Sequence, residues 1–190
     1  ALKQQPNNLE IEKDLGHNYY FSKDFSKALE IYKPLLERAD TDEQCYLVTG
    51  DIYLATGNVK ECEKVYKKGL KLFPQSGPLY NKSGELMWAQ KNYDAIKQWE
   101  KGIETDPGFS KNYYNACKYY FFTTEKIWGI LYGEIFLNIE PLSPQSPEVK
   151  SIVLESYKKL FADADLVKNN DGKNSFAEAY LQTMNKQSSL

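Results

Sequence analysis

The chain has 190 residues, of which 42% are hydrophobic and 14% aromatic, so it can bury a core and is not a disordered segment. Its formal net charge is −2, and Arg38 is its only arginine. Because no basic excess is present and the guanidinium groups suited to phosphate are nearly absent, we expect no nucleic-acid partner.

Residue types that hold metals are scarce and poorly spaced. His17 is the only histidine, and Cys45, Cys62 and Cys117 form no C-x-x-C motif. The sequence therefore predicts no metal site and no cofactor, and the cysteines are expected to be buried in the core.

The longest apolar run, 127–139, is too short to cross a bilayer, so we expect no membrane span. Residue 1 is Ala rather than Met, so we expect it to follow a processing site or an expression boundary. The residues leave the compartment open between an exported location, such as a bacterial periplasm, and the cytoplasm.

The predicted elements follow a period of 34 residues, marked by Gly16, Gly50 and Gly84. A large side chain follows each glycine three residues later, and a small residue follows eleven or twelve residues later. Such a period is typical of stacked helix-turn-helix repeats. It predicts four units, each of two helices, at about 9–42, 43–76, 77–109 and 110–143.

Small residues are expected where the two helices of a unit cross, since close approach requires that neither helix carries bulk there. The predicted crossing points are Gly16/Ala28, Gly50/Cys62, Gly84/Ala95 and Cys117/Gly129. In the second unit, Thr41 with Gln44 predicts a capping box, and Gly57 with Asn58 predicts the turn between helices.

The pattern changes after Pro141, where a proline-rich connector begins. A helix is predicted to about residue 162, then a polar loop at about 163–174 and a final helix. We interpret this pair as a degenerate fifth unit that caps the array, because a terminal repeat must cover the last core face. The predicted domains are 1–143 and 144–190. Helix 147–162 is expected to pack over Gly129 and Gly133, although a subunit contact is the alternative.

These motifs resemble the tetratricopeptide repeat (TPR). The second unit fits best, through Tyr46, Gly50, Tyr53, Cys62, Tyr66, Gly69 and Pro74. The resemblance covers about residues 9–143. It implies an all-α, right-handed α-solenoid of about four units plus a C-terminal capping helix pair. In its low arginine and abundant Lys, Asn and Tyr, the chain also loosely resembles TPR proteins of Bacteroidetes, many of which are exported.

The resemblance also implies a concave groove, lined by the first helix of each unit, that receives a peptide or a partner segment. The groove residues expected by position are Lys13, His17, Tyr20, Phe21, Leu47, Asp51, Leu54, Asn81, Glu85, Trp88, Tyr114, Lys118, Phe121 and Phe122. Among them, Tyr20, Leu54, Trp88 and Phe121 occupy equivalent positions in four units. This apolar stripe suits peptide anchors, and the alternative is that these side chains pack between neighbouring units.

Some members of this family hold a C-terminal carboxylate with lysines and asparagines from three units. Lys13 and Lys82 match that arrangement. His17, Val48 and Pro78 depart from it. Carboxylate-clamp binding is therefore not expected.

The sequence favours a non-catalytic adaptor for a protein or peptide partner, as a monomer or weak homodimer. It contains no phosphate-binding loop, H-E-x-x-H or G-x-S-x-G motif, so no enzyme activity and no catalytic residue are predicted. One alternative is a self-assembling structural subunit that associates through its terminal helices. A third is a carrier of a small apolar ligand, with a cavity near Trp88, Tyr114 and Phe122.

Overall fold

The structure is a computed structural model that describes residues 8–162 and, beyond them, 179–180, 182–184 and 186. Within 8–162 the chain forms helices joined by turns, so the predicted all-α class is confirmed for this part. The helices are α1 (Leu9–Phe21), α2 (Phe25–Leu35), α3 (Glu43–Ala55), α4 (Val59–Leu72), α5 (Gly77–Ala89), α6 (Ala95–Thr105), α7 (Ser110–Phe121), α8 (Lys126–Ile139) and α9 (Ser146–Ala162). They belong to two compact units, Ala1–Asn112 and Tyr113–Leu190.

In the first compact unit, each period-marking glycine packs against an aromatic ring of the following helix. The pairs are Gly16 with Tyr32, Gly50 with Tyr66, and Gly84 with Trp99. The predicted partners Ala28, Cys62 and Ala95 are fully buried, but these rings lie nearest to the glycines. The predicted crossing points are therefore corrected: the glycine makes room for a flat ring rather than for a second small residue.

Each of these rings also places its polar atom on a hydrogen-bond acceptor. The Tyr32 hydroxyl donates to the carbonyl of Lys13 at 3.2 Å, and the Trp99 Nε1 donates to the carbonyl of Asn81 at 3.3 Å. The Tyr66 hydroxyl donates to the Asp51 carboxylate at 2.9 Å. Because the bond is made inside the fold, the ring can be buried without leaving its polar atom unsatisfied.

The turn inside each hairpin of this unit has a left-handed residue at the same position. Lys23, Gly57 and Lys91 each lie seven residues after the repeat glycine, with φ angles of 62°, 74° and 59°. The predicted turn at Gly57 is confirmed. The lysines occupy a conformation that side-chain-bearing residues seldom adopt.

Helix α3 begins one residue later than the predicted capping box requires. Asp42, not Thr41, is the N-cap residue, and its carboxylate accepts a hydrogen bond from the Cys45 amide at 3.0 Å. The predicted pairing of Thr41 with Gln44 is therefore wrong. An aspartate at this position caps as well as a threonine would, and its carboxylate also forms an ion pair with α1.

In the second compact unit, two glycines of α8 face different neighbours. A Cβ at Gly129 would lie 3.4 Å from Tyr120 and 3.5 Å from the backbone oxygen of Cys117, which confirms the predicted crossing of α7 and α8. Gly133 faces Val149 and Val153 of α9. The expected packing of α9 over this helix is thus confirmed at Gly133.

The remaining C-terminal predictions lie mostly outside the described residues. Residues 179–180, 182–184 and 186 are helical, and the Tyr180 hydroxyl lies 2.8 Å from that of Tyr157 on α9. The polar loop at about 163–174 is outside the described residues. The domain limits at 143 and 144 remain predictions.

All three cysteines are buried with free thiols, as expected. Burial raises the pKa of Cys45 and of Cys62 to about 11, and that of Cys117 to about 12. The thiols are therefore protonated at neutral pH and act as small core side chains.

Candidate functional site

In the first compact unit, an ion pair at Lys82 joins two first helices. Its ammonium lies 3.0 Å from the Asp51 carboxylate, which joins α5 to α3. Tyr20 of α1 stands 34 residues before Leu54 of α3, at the equivalent position of the preceding repeat. We call the surface formed by Tyr20, Asp51, Leu54, Lys82 and Trp88 the α1/α3/α5 face.

The Lys82 ammonium is neutralised by carboxylates of its own chain. Burial alone would lower the pKa of Lys82, but the charge and hydrogen bond of Asp51 and the charge of Glu85 outweigh it and raise the pKa. Glu85 lies 3.9 Å away, and Asp51 also accepts the Tyr66 hydroxyl. The Lys82 ammonium is thus held in ion pairs within the protein.

Lys13, an expected groove residue, is enclosed, with 6% of its surface exposed. Its ammonium donates to Asp42 at 2.5 Å and to Glu10 at 3.0 Å. Burial alone would lower the pKa of Lys13, whereas these two carboxylates raise it above its usual value. Lys13 therefore ties α1 to the start of α3.

His17 lies among aromatic rings. Its ring centroid is 6.0 Å from that of Phe21 in a stacked arrangement and 5.8 Å from that of Tyr32 in an edge arrangement. The half-buried imidazole thus extends the apolar surface at the end of α1.

The apolar stripe of this face is both packed and exposed. Leu54 is 44% exposed and Trp88 is 37% exposed. The Trp88 ring also lies 5.7 Å from Tyr93 and 6.1 Å from Trp99, measured between centroids. Tyr20 is half-buried against Phe25. Because part of each side chain faces solvent, packing and partner contact are compatible at these positions.

Two further expected groove residues are less accessible. Leu47 is half-buried and packs against the hydrophobic core. Asn81 is 2% exposed, and its side-chain nitrogen has no hydrogen-bond partner among the described residues. Their positions follow the predicted register, but they offer little surface for contact.

In the second compact unit, the expected groove residues engage α9. Tyr114 donates to Glu148 at 2.5 Å, and the Lys118 ammonium lies 3.1 Å from the same carboxylate. Glu148 was not anticipated, since 34 residues separate it from Tyr114 and no local pattern links them.

Phe121, the fourth member of the apolar stripe, also belongs to the second compact unit. The ammonium groups of Lys126 and Lys159 lie 5.4 and 4.9 Å from its ring centroid. Its neighbour Phe122 is exposed. Phe121 is thus in cation–π contact with two lysines.

Within the part of the chain that the structure describes, no group of three or more His, Cys, Asp or Glu side chains could hold a metal ion. None of the described helices has the length and apolar character needed to span a bilayer.

The helical hairpins are similar to those of several solved structures. The match to the crystal structure of MamA protein covers 88% of this chain and 95% of the MamA chain, with 21% identity and a TM-score of 0.60. The match to the thermophilic TPR protein TTC0263 of Thermus thermophilus covers 80% of this chain and 85% of TTC0263, with 17% identity and a TM-score of 0.66. The fold is that of the tetratricopeptide repeat. The predicted TPR fold is therefore confirmed.

Other TPR structures extend this comparison. A TPR protein from Parabacteroides merdae covers 95% of this chain and 74% of its own, with 13% identity and a TM-score of 0.65. The match to the TPR2B domain of yeast Sti1, in complex with pHsp70, covers 62% of this chain and 97% of that domain, with 15% identity and a TM-score of 0.55. At these identities the likeness establishes the TPR fold.

Sequence comparison finds two partial relatives. Hsp70-Hsp90 organizing proteins 2 and 3 of Arabidopsis thaliana are 27% and 25% identical over 111 residues, which is 56% of this chain. The chain spans about one fifth of the length of these relatives. No family model matches the sequence.

Proposed function

We propose that the protein is a non-catalytic binding scaffold whose α1/α3/α5 face receives a peptide or a partner segment. The observation that carries this proposal is the exposure of Leu54 and Trp88 at equivalent positions of two neighbouring repeats. Tyr20 continues the row on α1. Exposed apolar side chains in a row suit the anchors of an extended or helical segment.

The comparisons support this role at the level of the fold. The TPR2B domain of yeast Sti1 has this fold and was solved in complex with pHsp70. A fold that presents first helices on one face can serve many partners, so the residues of the face, not the fold, must define what this chain binds.

Leu54→Ala is expected to weaken partner binding by about fivefold, which is about 1 kcal/mol, because it removes an exposed anchor without disturbing a buried contact. Leu72→Ala is a matched control, since Leu72 is 54% exposed on second helix α4. Peptides selected from a random display library provide the probe, with fluorescence anisotropy as the measurement. Equal losses in both variants would contradict the assignment of the face.

Self-assembly is a second candidate, favoured by the outer face of α8. Trp128, Ile135 and Ile139 are exposed on this helix at spacings that place them on one side. The exposed residues of second helix α4 are instead mostly charged, including Lys60, Glu63, Lys64, Lys67, Lys68 and Lys71. An apolar outer face in place of a charged one is a surface that another copy could cover.

If this candidate holds, light scattering should give the mass of a dimer, and Ile135→Lys should return the mass to that of a monomer. Leu72→Lys introduces the same charge on another exposed apolar site and should leave the dimer intact. A monomer mass for the unmodified protein at high concentration would exclude self-assembly through α8.

Two pockets of the first compact unit differ in lining from the cavity of the carrier alternative. One pocket of the first compact unit, of about 460 Å³, is lined by charged side chains together with apolar ones, including Glu12, Glu30 and Arg38. A second, of about 560 Å³, is lined by residues of α4, α5 and α6, including Glu63, Lys67 and Lys71. Neither is lined by Trp88, Tyr114 or Phe122.

A further inference from the structure

Around the α1/α3/α5 face, each of two ammonium groups lies beside two carboxylates. Among the described residues, Lys82 lies between the carboxylates of Asp51 and Glu85. Lys13 in turn lies between those of Glu10 and Asp42. Counting these side chains alone, two carboxylates and one ammonium in each cluster give a net charge of −1 at neutral pH.

The two ammonium groups are poorly placed to receive an anion. Lys13 is buried, and its contacts with Asp42 and Glu10 occupy it. Lys82 is held by Asp51 at 3.0 Å. An incoming carboxylate would have to displace a carboxylate of the protein at either site, and it would meet a negative surface while doing so.

Glu10, Asp42 and Glu85 are more accessible than the lysines beside them, whereas Asp51, at 26% exposed, is less accessible than Lys82, at 35%. The side chain of Glu10 is 73% exposed and that of Glu85 is 46% exposed. Asp14, exposed one residue after Lys13, adds a further negative charge to α1. A cation can therefore approach Glu10, Asp42 and Glu85 from solvent, whereas Lys13 is closed to an anion.

Aromatic and aliphatic surface lies beside these carboxylates. Glu85 precedes Trp88 by three residues on α5, and Asp51 precedes Leu54 by three residues on α3, so each acid neighbours an apolar side chain on its helix. The exposed part of Trp88 can accept a cation over its ring as well as an apolar side chain.

We propose that the partner segment is basic, with Lys or Arg side chains directed to Glu85 and Glu10 and an apolar side chain placed on Leu54 and Trp88. This inference rests on the proposed function and adds the chemistry of the partner. It is the reverse of recognition of a C-terminal carboxylate, for which the face would need unpaired cations.

Selection from a random peptide display library tests the inference directly, because the library offers basic, acidic and neutral segments to the same face. Peptides retained by the intact chain should be enriched in Lys and Arg and depleted of Asp and Glu relative to the starting library. Their affinity should fall as salt is raised, since exposed charges are screened. Glu85→Gln should weaken a selected basic peptide by up to about fivefold, the contribution of one exposed ion pair.

Glu104→Gln is the matched control, since Glu104 is exposed on second helix α6 and pairs with Lys101. It should leave the affinity unchanged. Retained peptides without charge bias, whose binding is lost in Trp88→Ala, would overturn the basic-segment inference and leave the binding face intact. Enrichment of acidic peptides would also overturn it. Failure to retain any peptide, or retention unaffected by both Trp88→Ala and Leu54→Ala, would contradict the proposed function itself.

Discussion

Gly50→Ala is expected to lower the free energy of unfolding by about 3 kcal/mol, at the upper end of the usual cost of overpacking a core. An added Cβ would lie 2.5 Å from Cζ and 2.8 Å from Cδ1 of Tyr66, and closer still to Cε1. Tyr66 is buried and its hydroxyl is fixed on Asp51, so the ring cannot move aside without losing that hydrogen bond. Chemical denaturation followed by circular dichroism measures the change.

Gly129→Ala provides the matched control for this prediction. Gly129 is also inside a helix, but its added Cβ would meet other atoms at 3.4–3.5 Å, which is ordinary contact. Alanine has a higher helix propensity than glycine, so this variant should be neutral or more stable by up to about 1 kcal/mol. If Gly50→Ala behaved in the same way, the close packing of the Tyr66 ring on α3 would be disproved.

Asp42→Ala is expected to lower the free energy of unfolding by about 2–3 kcal/mol. About 1 kcal/mol comes from the lost N-cap of α3, and the rest from the loss of a charged partner of buried Lys13. The carboxylate is 37% exposed, so the cost stays below that of breaking a fully buried ion pair. Asp42→Asn keeps a capping side chain and should recover about 1 kcal/mol.

The same carboxylate should make stability depend on pH. Burial would raise the pKa of Asp42, but hydrogen bonds from Lys13 and the Cys45 amide lower it below its usual value. Its contribution is therefore present above the unfolded pKa, near 3.9, and is lost as the pH falls through the folded pKa. Asp42→Asn should reduce the loss of stability between neutral and acidic pH. Asp40→Ala, at an exposed pair with Arg38, should leave stability nearly unchanged.

The helices could be predicted because small and large residues recur along the chain with the period of the repeat. Glycines 34 residues apart lie in α1, α3 and α5, the first helices of the hairpins in the first compact unit. The partner of each glycine could not be predicted in the same way. Gly50 is followed by both a small residue, Cys62, and a large one, Tyr66, and only the rotation of α4 decides which of them faces α3.

Contacts between distant residues escaped prediction for a different reason. Lys13 and Asp42 are 29 residues apart, and Tyr114 and Glu148 are 34 apart, with no motif connecting either pair. Charged side chains of the α1/α3/α5 face could be placed by register. Whether a lysine there is available or already paired depends on geometry that spacing alone does not contain.

The left-handed turns of the first compact unit give its three hairpins unequal resistance to local opening. Gly57 adopts its φ of 74° without steric cost, whereas Lys23 and Lys91 each retain about 1 kcal/mol of backbone strain at the same position. That strain is released whenever a hairpin separates. This contribution favours opening of the first and third hairpins relative to the second, and Trp88 stands three residues before one of these strained turns. The side chain proposed as an anchor is thus placed beside a turn that stores backbone strain.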